Sequence, residues 1–597
     1  MLFISIIILI ICKALINDKL SEDFYHRISA IILLFAGLLS YNGIYNLDSI
    51  TGIGIYSGLF NITNHSQILE SFLLIIGSII LVSWPKQEEL IIEVKNPILP
   101  TSYNTLLENS YLYSLLNSIL LENYNKNKSV DSSAFSVQLI NYSILNNNKF
   151  VSHSINYSII VLFSSLGASL LISCSDLISM YLSIELQSFS LYVLSTLYRD
   201  SELSTSAGLK YFLLGALASC LILFGAGLLY AYTGLTNFES IYSLLSIYNI
   251  EINNNFIDII YPFFSKELSG SIFLGLIFIF VGFLIKISAA PFHNWSPDVY
   301  DDTPTIVTIW LTIIPKISIL ILLLDLYLHI DLIDQLTLFG QLNGFKFNID
   351  QLIKYLLLIT SLLSLIIGSV VGLAQNRIKR LLAYSTISHI GFILLALAIH
   401  SKQSIDSFIF YIIQYIITNL NIFLIIIAFS YLINNNIKDI RYISEFKGQF
   451  FLNPLISLSF SICLFSMAGI PPLIGFFSKQ YVLYSAIQSG YNFIALIAIV
   501  VSVISASYYL KIIKTFFWSN SATEHSSLEG YAEKSKELEE NLQFNLSAQN
   551  GVQVNNKLSN LHSFLISTLT LSILFFIFKP SLILNTTQLL SISLFNQ

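Results

Sequence analysis

Apolar runs long enough to cross a bilayer succeed one another along almost the whole chain, and that pattern leaves few folds open. A helix needs roughly 20 apolar residues to traverse a ~30 Å hydrocarbon core. Runs of this kind lie near 1–16, 27–45, 68–84, 157–174, 177–197, 207–233 and 271–291. They continue near 303–327, 352–373, 381–399, 405–433, 452–486, 493–517 and 564–582. Inside lipid every backbone N–H and C=O must be paired within the protein, so such runs fold as helices. The expected fold class is all-α, a polytopic membrane protein of about 14 transmembrane helices. Composition agrees. Of the 597 residues 55% are hydrophobic and 11% charged, against about 25% charged in an ordinary soluble domain.

Two polar insertions, 86–156 and 519–560, interrupt the series and read as exposed loops, being rich in Asn, Ser and Glu without amphipathic periodicity. Basic residues collect in the odd-numbered loops, among them Arg27, Arg377, Lys379, Arg380, Arg441 and Lys447. Few fall in the even-numbered ones, such as Lys354 and Lys402. Lys and Arg concentrate on the side from which a chain is inserted, so both termini are expected on the opposite side. The net charge of −6 has no basic stripe that would bind nucleic acid. Cys12, Cys174, Cys220 and Cys463 lack CxxC spacing and give no zinc or iron–sulfur motif. No nucleotide-binding glycine loop occurs. Neither a metal nor a cofactor site is therefore expected in this chain.

Lys210, Lys286, Lys316 and Lys479 stand inside apolar runs, and Glu185 lies mid-run. A charge at the bilayer centre costs about 2.5–3.5 kcal/mol on the mildest scale. Such residues face a bundle interior that holds partners and water, and they mark ion or proton pathways. Snorkelling to the headgroups is the plainer reading for a lysine near a span end, and for Lys210 both stay open. For Glu185 the plainer reading is a helix-packing hydrogen bond. Two spans carry breakers beside their lysines: Gly282 to Lys286 precedes Pro291, and Pro471 and Pro472 precede Lys479. Proline removes a backbone donor and kinks or unwinds a helix. Interrupted spans at corresponding places are the mark of inverted repeats. The seventh and twelfth spans are discontinuous and five apart, which predicts two inverted five-helix repeats, spans 4–8 and 9–13, at about 157–330 and 351–518. Residues 1–85 hold three leading helices, and 561–597 a last helix and tail. His389 lies near midplane, where imidazole suits proton transfer; a buried packing histidine is equally consistent.

Six segments carry a family resemblance: YLSIELQSFSLYVL from Tyr181, AGLKYFLLGALAS from Ala207, KISAAPFHNWSPDVYDDTP from Lys286, PKIS from Pro315, NRIKRLLAYSTISHIG from Asn376 and AGIPPLIGFFSKQYVL from Ala468. In these the chain resembles the NADH–ubiquinone oxidoreductase chain 2 family, antiporter-like membrane-arm subunits of respiratory complex I. The segment PDVYDDTP favours chain 2 over chains 4 and 5, and the three leading spans fit fungal or bacterial members. The resemblance implies a proton-translocating subunit of NADH:ubiquinone reductase in the mitochondrial inner membrane, with both termini on the intermembrane-space side. It implies that Glu185 pairs with a buried lysine, Lys286 is the central lysine of one half-channel, Lys316 and His389 link it across the bundle, and Lys479 ends the relay. Lys210 is implied to lie close to the fifth-helix carboxylate. NADH, FMN, iron–sulfur clusters and ubiquinone would be handled by other subunits. Partners would be chain 4 and small chain 4L-type neighbours, and phospholipids. A stand-alone Mrp-type cation/proton antiporter subunit and a structural membrane scaffold are the alternatives.

Overall fold

The computed structural model describes residues 1–16, 22–44, 52–82, 154–198, 201–251, 262–336, 349–433, 439–518 and 558–595. The polar insertions expected at 86–156 and 519–560 lie almost wholly outside the described residues. Contacts group Met1–Pro85 with Tyr157–Gln597 in one body, the helical bundle.

The expected apolar runs are helical. In chain order they form α1 (Leu2–Ile16), α2 (Glu22–Gly43), α3 (Asn64–Val82), α4 (Ser154–Ile172), α5 (Leu177–Ser195) and α6 (Glu202–Thr233). After α7 (Phe238–Glu251) come α8 (Pro262–Lys286), the short α9 (Trp295–Asp302), α10 (Thr305–Leu336), α11 (Ile349–Leu373), α12 (Ile378–Ile399) and α13 (Lys402–Ile433). The rest are α14 (Pro454–Ala468), α15 (Ile474–Gln488), α16 (Asn492–Phe517), α17 (Asn560–Leu574) and α18 (Ser581–Phe595). Among the described residues 10 helices are long and apolar enough to cross a membrane, and five shorter apolar ones accompany them. A count of fourteen spans therefore does not follow from helix length alone. The run at 452–486 is two helices, α14 and α15, and the run at 564–582 breaks before Pro580 and is followed by α18.

Both breaks sit where the prolines stand. The first separates α8 from α9, and the indole N–H of Trp295 donates to the Ile285 carbonyl at 2.9 Å, which also accepts from the Ser288 N–H at 3.1 Å. The second begins at Gly469, whose φ of +86° closes α14 in the left-handed conformation that glycine adopts without steric cost. Gly475 opens α15 against α14 so closely that a Cβ there would collide with the Ser466 carbonyl.

The two halves are also tied alike, at opposite faces. In the first, the α4–α5 turn bridges the segment after α6, Asp176 opposite Asn237, and the Thr236 hydroxyl donates to Asp176 at 2.9 Å. In the second, the α11–α12 turn bridges the segment after α13, Arg377 opposite Tyr442. Helices n, n+1 and n+2 of each half are thus joined in the same order. Lys210, near the start of α6, reaches the ion pairs beside the second bridge, whereas α6 ends at the first, so the bridges lie at opposite ends of that helix. A small antiparallel hairpin, β1 (Ile53–Ile55) and β2 (Phe60–Ile62), packs beside the first bridge. It is fixed by the Asn61 amide donating to the Ser173 carbonyl at 2.9 Å.

The centre of the body is α10, α12 and α13, with membrane windows 94%, 94% and 78% buried, against 33% for α6 and α16. Only helices surrounded by protein can carry ionisable groups through a membrane.

Candidate functional site

The expected site residues other than Lys210 place their side chains along this centre. On the α5–α8 side, Lys286 Nζ stands 3.8 Å from Glu185 Oε1, with side chains 7% and 13% exposed. Neither atom has a hydrogen-bond partner among the described residues, so the pair is held by charge alone. Lys286 is the last residue of α8, where the helix dipole favours a cation. A cavity of about 20 Å³ opens beside it, lined by Gln187, Ser188, Tyr192, Tyr211 and Trp295 and backed by Pro315. That is room for about one water molecule with polar partners. Trp295 stacks on Tyr211 at 4.9 Å and closes one wall.

Pro315 precedes Lys316 inside α10, and this lysine is 2% exposed. Its ammonium donates to the Thr386 hydroxyl at 3.2 Å and the Tyr415 hydroxyl at 3.4 Å. It also lies over the rings of Tyr300 and Tyr415, at 5.4 and 5.8 Å, an attraction that grows when the cation is desolvated. Next along the axis, His389 Nδ1 is 2.8 Å from the Tyr411 hydroxyl and Nε2 is 3.4 Å from that of Tyr509. The tautomer of the ring decides which hydroxyl donates. Beyond it Phe392 stacks on Tyr411 at 5.8 Å, and Lys479 stands 5.7 Å above the Phe392 ring. Lys479 also donates to the carbonyls of Met467 and Ala468, at 2.9 and 3.0 Å. These are the open carbonyls at the end of α14, the negative pole of a half-helix, a place where membrane transporters hold cations and protons.

The axis thus runs from Glu185 and Lys286 past Lys316 and His389 to Lys479. Direct proton transfer needs heavy atoms within about 3.2 Å or one intervening water. The Tyr411–His389 contact meets the first condition, and the cavity beside Lys286 is sized for the second. Among the described residues no group of three His, Cys, Asp or Glu could hold a metal ion.

Lys210 takes a different place. Its ammonium pairs with Asp298 at 2.9 Å and its side chain is 51% exposed. Expected beside Glu185, it is tied instead to α9, because it lies only two turns into α6 while Glu185 is mid-way along α5. Asp298 also receives Arg380, Arg377 pairs with Asp301 at 2.7 Å, and Lys379 with Asp439 at 2.7 Å. Burial alone would raise the Asp298 carboxyl, but Lys210 and Arg380 hold it below the usual carboxylate range. These pairs gather the segments around α9, the start of α12 and the end of α13 on one charged face. His293, at the first break, lies 6.4 Å from the Tyr384 ring.

Sequence reasoning passed over the uncharged members. Tyr411, Tyr415, Tyr509 and Thr386 supply the hydroxyls of the axis, and only the i, i+4 spacing of Tyr411 and Tyr415 on one helix hinted at a shared face. It also passed over Asp325, an acid inside α10 that an inventory of carboxylates in apolar runs would have found.

Comparison with known proteins places this geometry. Residues 174–505 match the family model described as NADH:quinone oxidoreductase/Mrp antiporter, transmembrane. NADH-ubiquinone oxidoreductase chain 2 of Rhizopus oryzae is 42% identical over 604 aligned residues, covering 100% of both chains. The chain belongs to the NADH–ubiquinone oxidoreductase chain 2 family. Two solved structures share the fold of this family member. One is from respiratory complex I of Thermus thermophilus with bound aureothin, 21% identical over 98% of this chain and 99% of that one, at a TM-score of 0.60. The other is from the Mrp complex of Dietzia sp. DQ12-45-1b, 16% identical over 100% of this chain and 96% of that one, at a TM-score of 0.66.

Proposed function

We propose that the chain is a proton-translocating membrane-arm subunit of NADH:ubiquinone oxidoreductase, and that Glu185, Lys286, Lys316, His389 and Lys479 are its relay. It works in the mitochondrial inner membrane with both termini on the intermembrane-space side. Its repeats span about 157–330 and 351–518. NADH, FMN, iron–sulfur clusters and ubiquinone belong to other subunits, and the chain assembles with chain 4 and chain 4L-type neighbours and phospholipids. Lys210 acts at the charged face through Asp298, outside the buried series.

The observation that carries the reading is the unbonded Glu185–Lys286 pair at 3.8 Å beside a water-sized cavity. At an effective dielectric near 20, charges at that distance attract by about 4 kcal/mol. Moving one charge across 100 mV takes about 2.3 kcal/mol. Charge redistribution elsewhere in the complex that loosens the pair therefore takes up to about 4 kcal/mol of stabilisation from protonated Lys286, enough to favour transfer of its proton toward Lys316, His389 and Lys479. Replacing Lys286 with Ala in the assembled complex is expected to lower the protons pumped per NADH oxidised. Wild-type stoichiometry in that variant overturns the reading.

A further inference from the structure

Lys286 belongs to the first half of the bundle, His389 and Lys479 to the second, and α10 stands between them with its two sides held differently. Side chains two residues apart on a helix point about 200° apart, so Lys316 and Ser318 face opposite ways. Lys316 reaches Thr386 on α12 and Tyr415 on α13. Ser318 turns to α5, where Gln187 Nε2 donates to its hydroxyl at 3.0 Å and the hydroxyl donates to Gln187 Oε1 at 3.2 Å. The same hydroxyl lies 3.1 Å from the Pro315 carbonyl. It has one hydrogen, so it serves one of these two acceptors at a time, and the bond from Gln187 Nε2 persists in either case. Gln187 and Ser318 are 1% and 0% exposed.

The tie falls where α10 is softest. Pro315 has no N–H for the Leu311 carbonyl, and its ring crowds the preceding turn, so the helix bends most easily there. Before the proline, the Trp310 indole N–H donates to the Ser164 hydroxyl on α4 at 2.7 Å. After it, Ser318 is bonded to Gln187. The two ties straddle the weak point, and Lys316 stands between them in the chain. Gln187 is itself a firm post: a Cβ on Gly167 of α4 would meet the Gln187 backbone nitrogen at 2.7 Å, so α4 and α5 touch backbone to backbone at that residue. Gln187 and Pro315 also line the cavity beside Lys286, so the tie borders the space on the Lys286 side of α10. Two apolar side chains of similar shape would fill this place at little cost in stability. What they would lose is a fixed direction for α10 past the proline.

We propose that Gln187 and Ser318 are positioning residues: their bond sets the turn of α10 after Pro315 and so keeps the Lys316 ammonium on Thr386 and Tyr415. This rests on the axis being a proton relay, in which a misplacement of about 1 Å can cost about a hundredfold in rate. The test is the double variant Gln187→Leu with Ser318→Ala, which leaves neither side chain buried with an unpaired polar atom. In the assembled complex its thermal stability stays near wild type, while a density map shows the Lys316 ammonium moved by about 1 Å or more from Thr386 and the protons pumped per NADH oxidised fall. A pair with a merely structural role predicts the reverse, Lys316 in place and wild-type stoichiometry. Lys316 unmoved in the double variant overturns the proposal, whatever the stoichiometry. Lys316 displaced with wild-type stoichiometry sinks the relay and leaves the positioning standing. Where the double variant does not assemble, Gln187→Asn, whose amide is one methylene short of Ser318 and can turn to the cavity, is read in the same way.

Discussion

Replacing Glu185 with Gln removes one charge and almost no volume, which isolates the electrostatic part of the Lys286 pair. At 3.8 Å and an effective dielectric near 20, the ammonium loses about 4 kcal/mol of attraction. Removing one partner of a buried pair commonly costs about 3–5 kcal/mol. Both figures exceed the roughly 2.3 kcal/mol per charge that a 100 mV potential demands, so the variant is expected to hold the proton at Lys286 too weakly for transfer. The assay is dye-reported acidification in vesicles of the assembled complex, read as protons per NADH oxidised, with thermal stability of the complex measured in parallel. Glu185→Gln lowers both the stoichiometry and the melting temperature. Adding Lys286→Met restores part of the melting temperature, because the unpaired charge is gone, and restores none of the pumping. The coupling between the two substitutions is thus non-additive in stability. Wild-type stoichiometry in Glu185→Gln, or a double variant whose stability loss is the sum of the singles, refutes the reasoning.

Two further predictions concern the periphery of the axis. Gly469 and Gly490 both have φ near +86°, but a Cβ on Gly469 meets Lys479 Cδ at 3.0 Å while one on Gly490 meets nothing within 4 Å. Alanine at either position costs about 1–2 kcal/mol of backbone strain, and only Gly469→Ala lowers protons per NADH, by displacing the Lys479 ammonium; equal pumping loss in both variants removes the claim. At the charged face, burial pushes the Asp439 carboxyl up, yet Lys379 and the hydroxyl and amide of Thr305 hold it below the usual carboxylate range. A lowered value means that the folded state favours the ionised form, so the junction keeps its full stability above about pH 4 and loses it as pH falls through the lowered value. Asp439→Asn therefore speeds exchange of the Thr305 amide at pH 7 by about ten- to a hundredfold, the worth of a hydrogen bond to a charged group. Wild-type protection in that variant removes the claim.

Much of the bundle is legible in the chain because lipid allows only one backbone solution for an apolar run. Lys286, Lys316 and Lys479 are legible for the same reason, since each is costly wherever it is unpartnered. The hairpin at Ile53–Ile62 is not, because it is fixed by bonds to a distant segment, Asn61 N–H to the Ser173 carbonyl and Ser175 N–H to the Leu59 carbonyl, and not by any pattern of its own. The pairing of Lys210 was not legible because its partner Asp298 is 88 residues away in the chain. The hydroxyls of Tyr411 and Tyr415 and the amide of Gln187 escaped because charge counting overlooks neutral polar groups, although in hydrocarbon these too need partners.

The seat of Lys479 has a mechanical consequence. Its ammonium donates to both open carbonyls at the end of α14, so that end is held by a charge-assisted cap while the proton is there. Each departure of the proton leaves an amine that still has two N–H donors but no charge, so the cap weakens, and each return strengthens it. Occupancy by one proton and the firmness of one helical turn are therefore thermodynamically linked, and whatever stiffens that turn, from a neighbouring subunit or a bound lipid, shifts how readily the proton leaves.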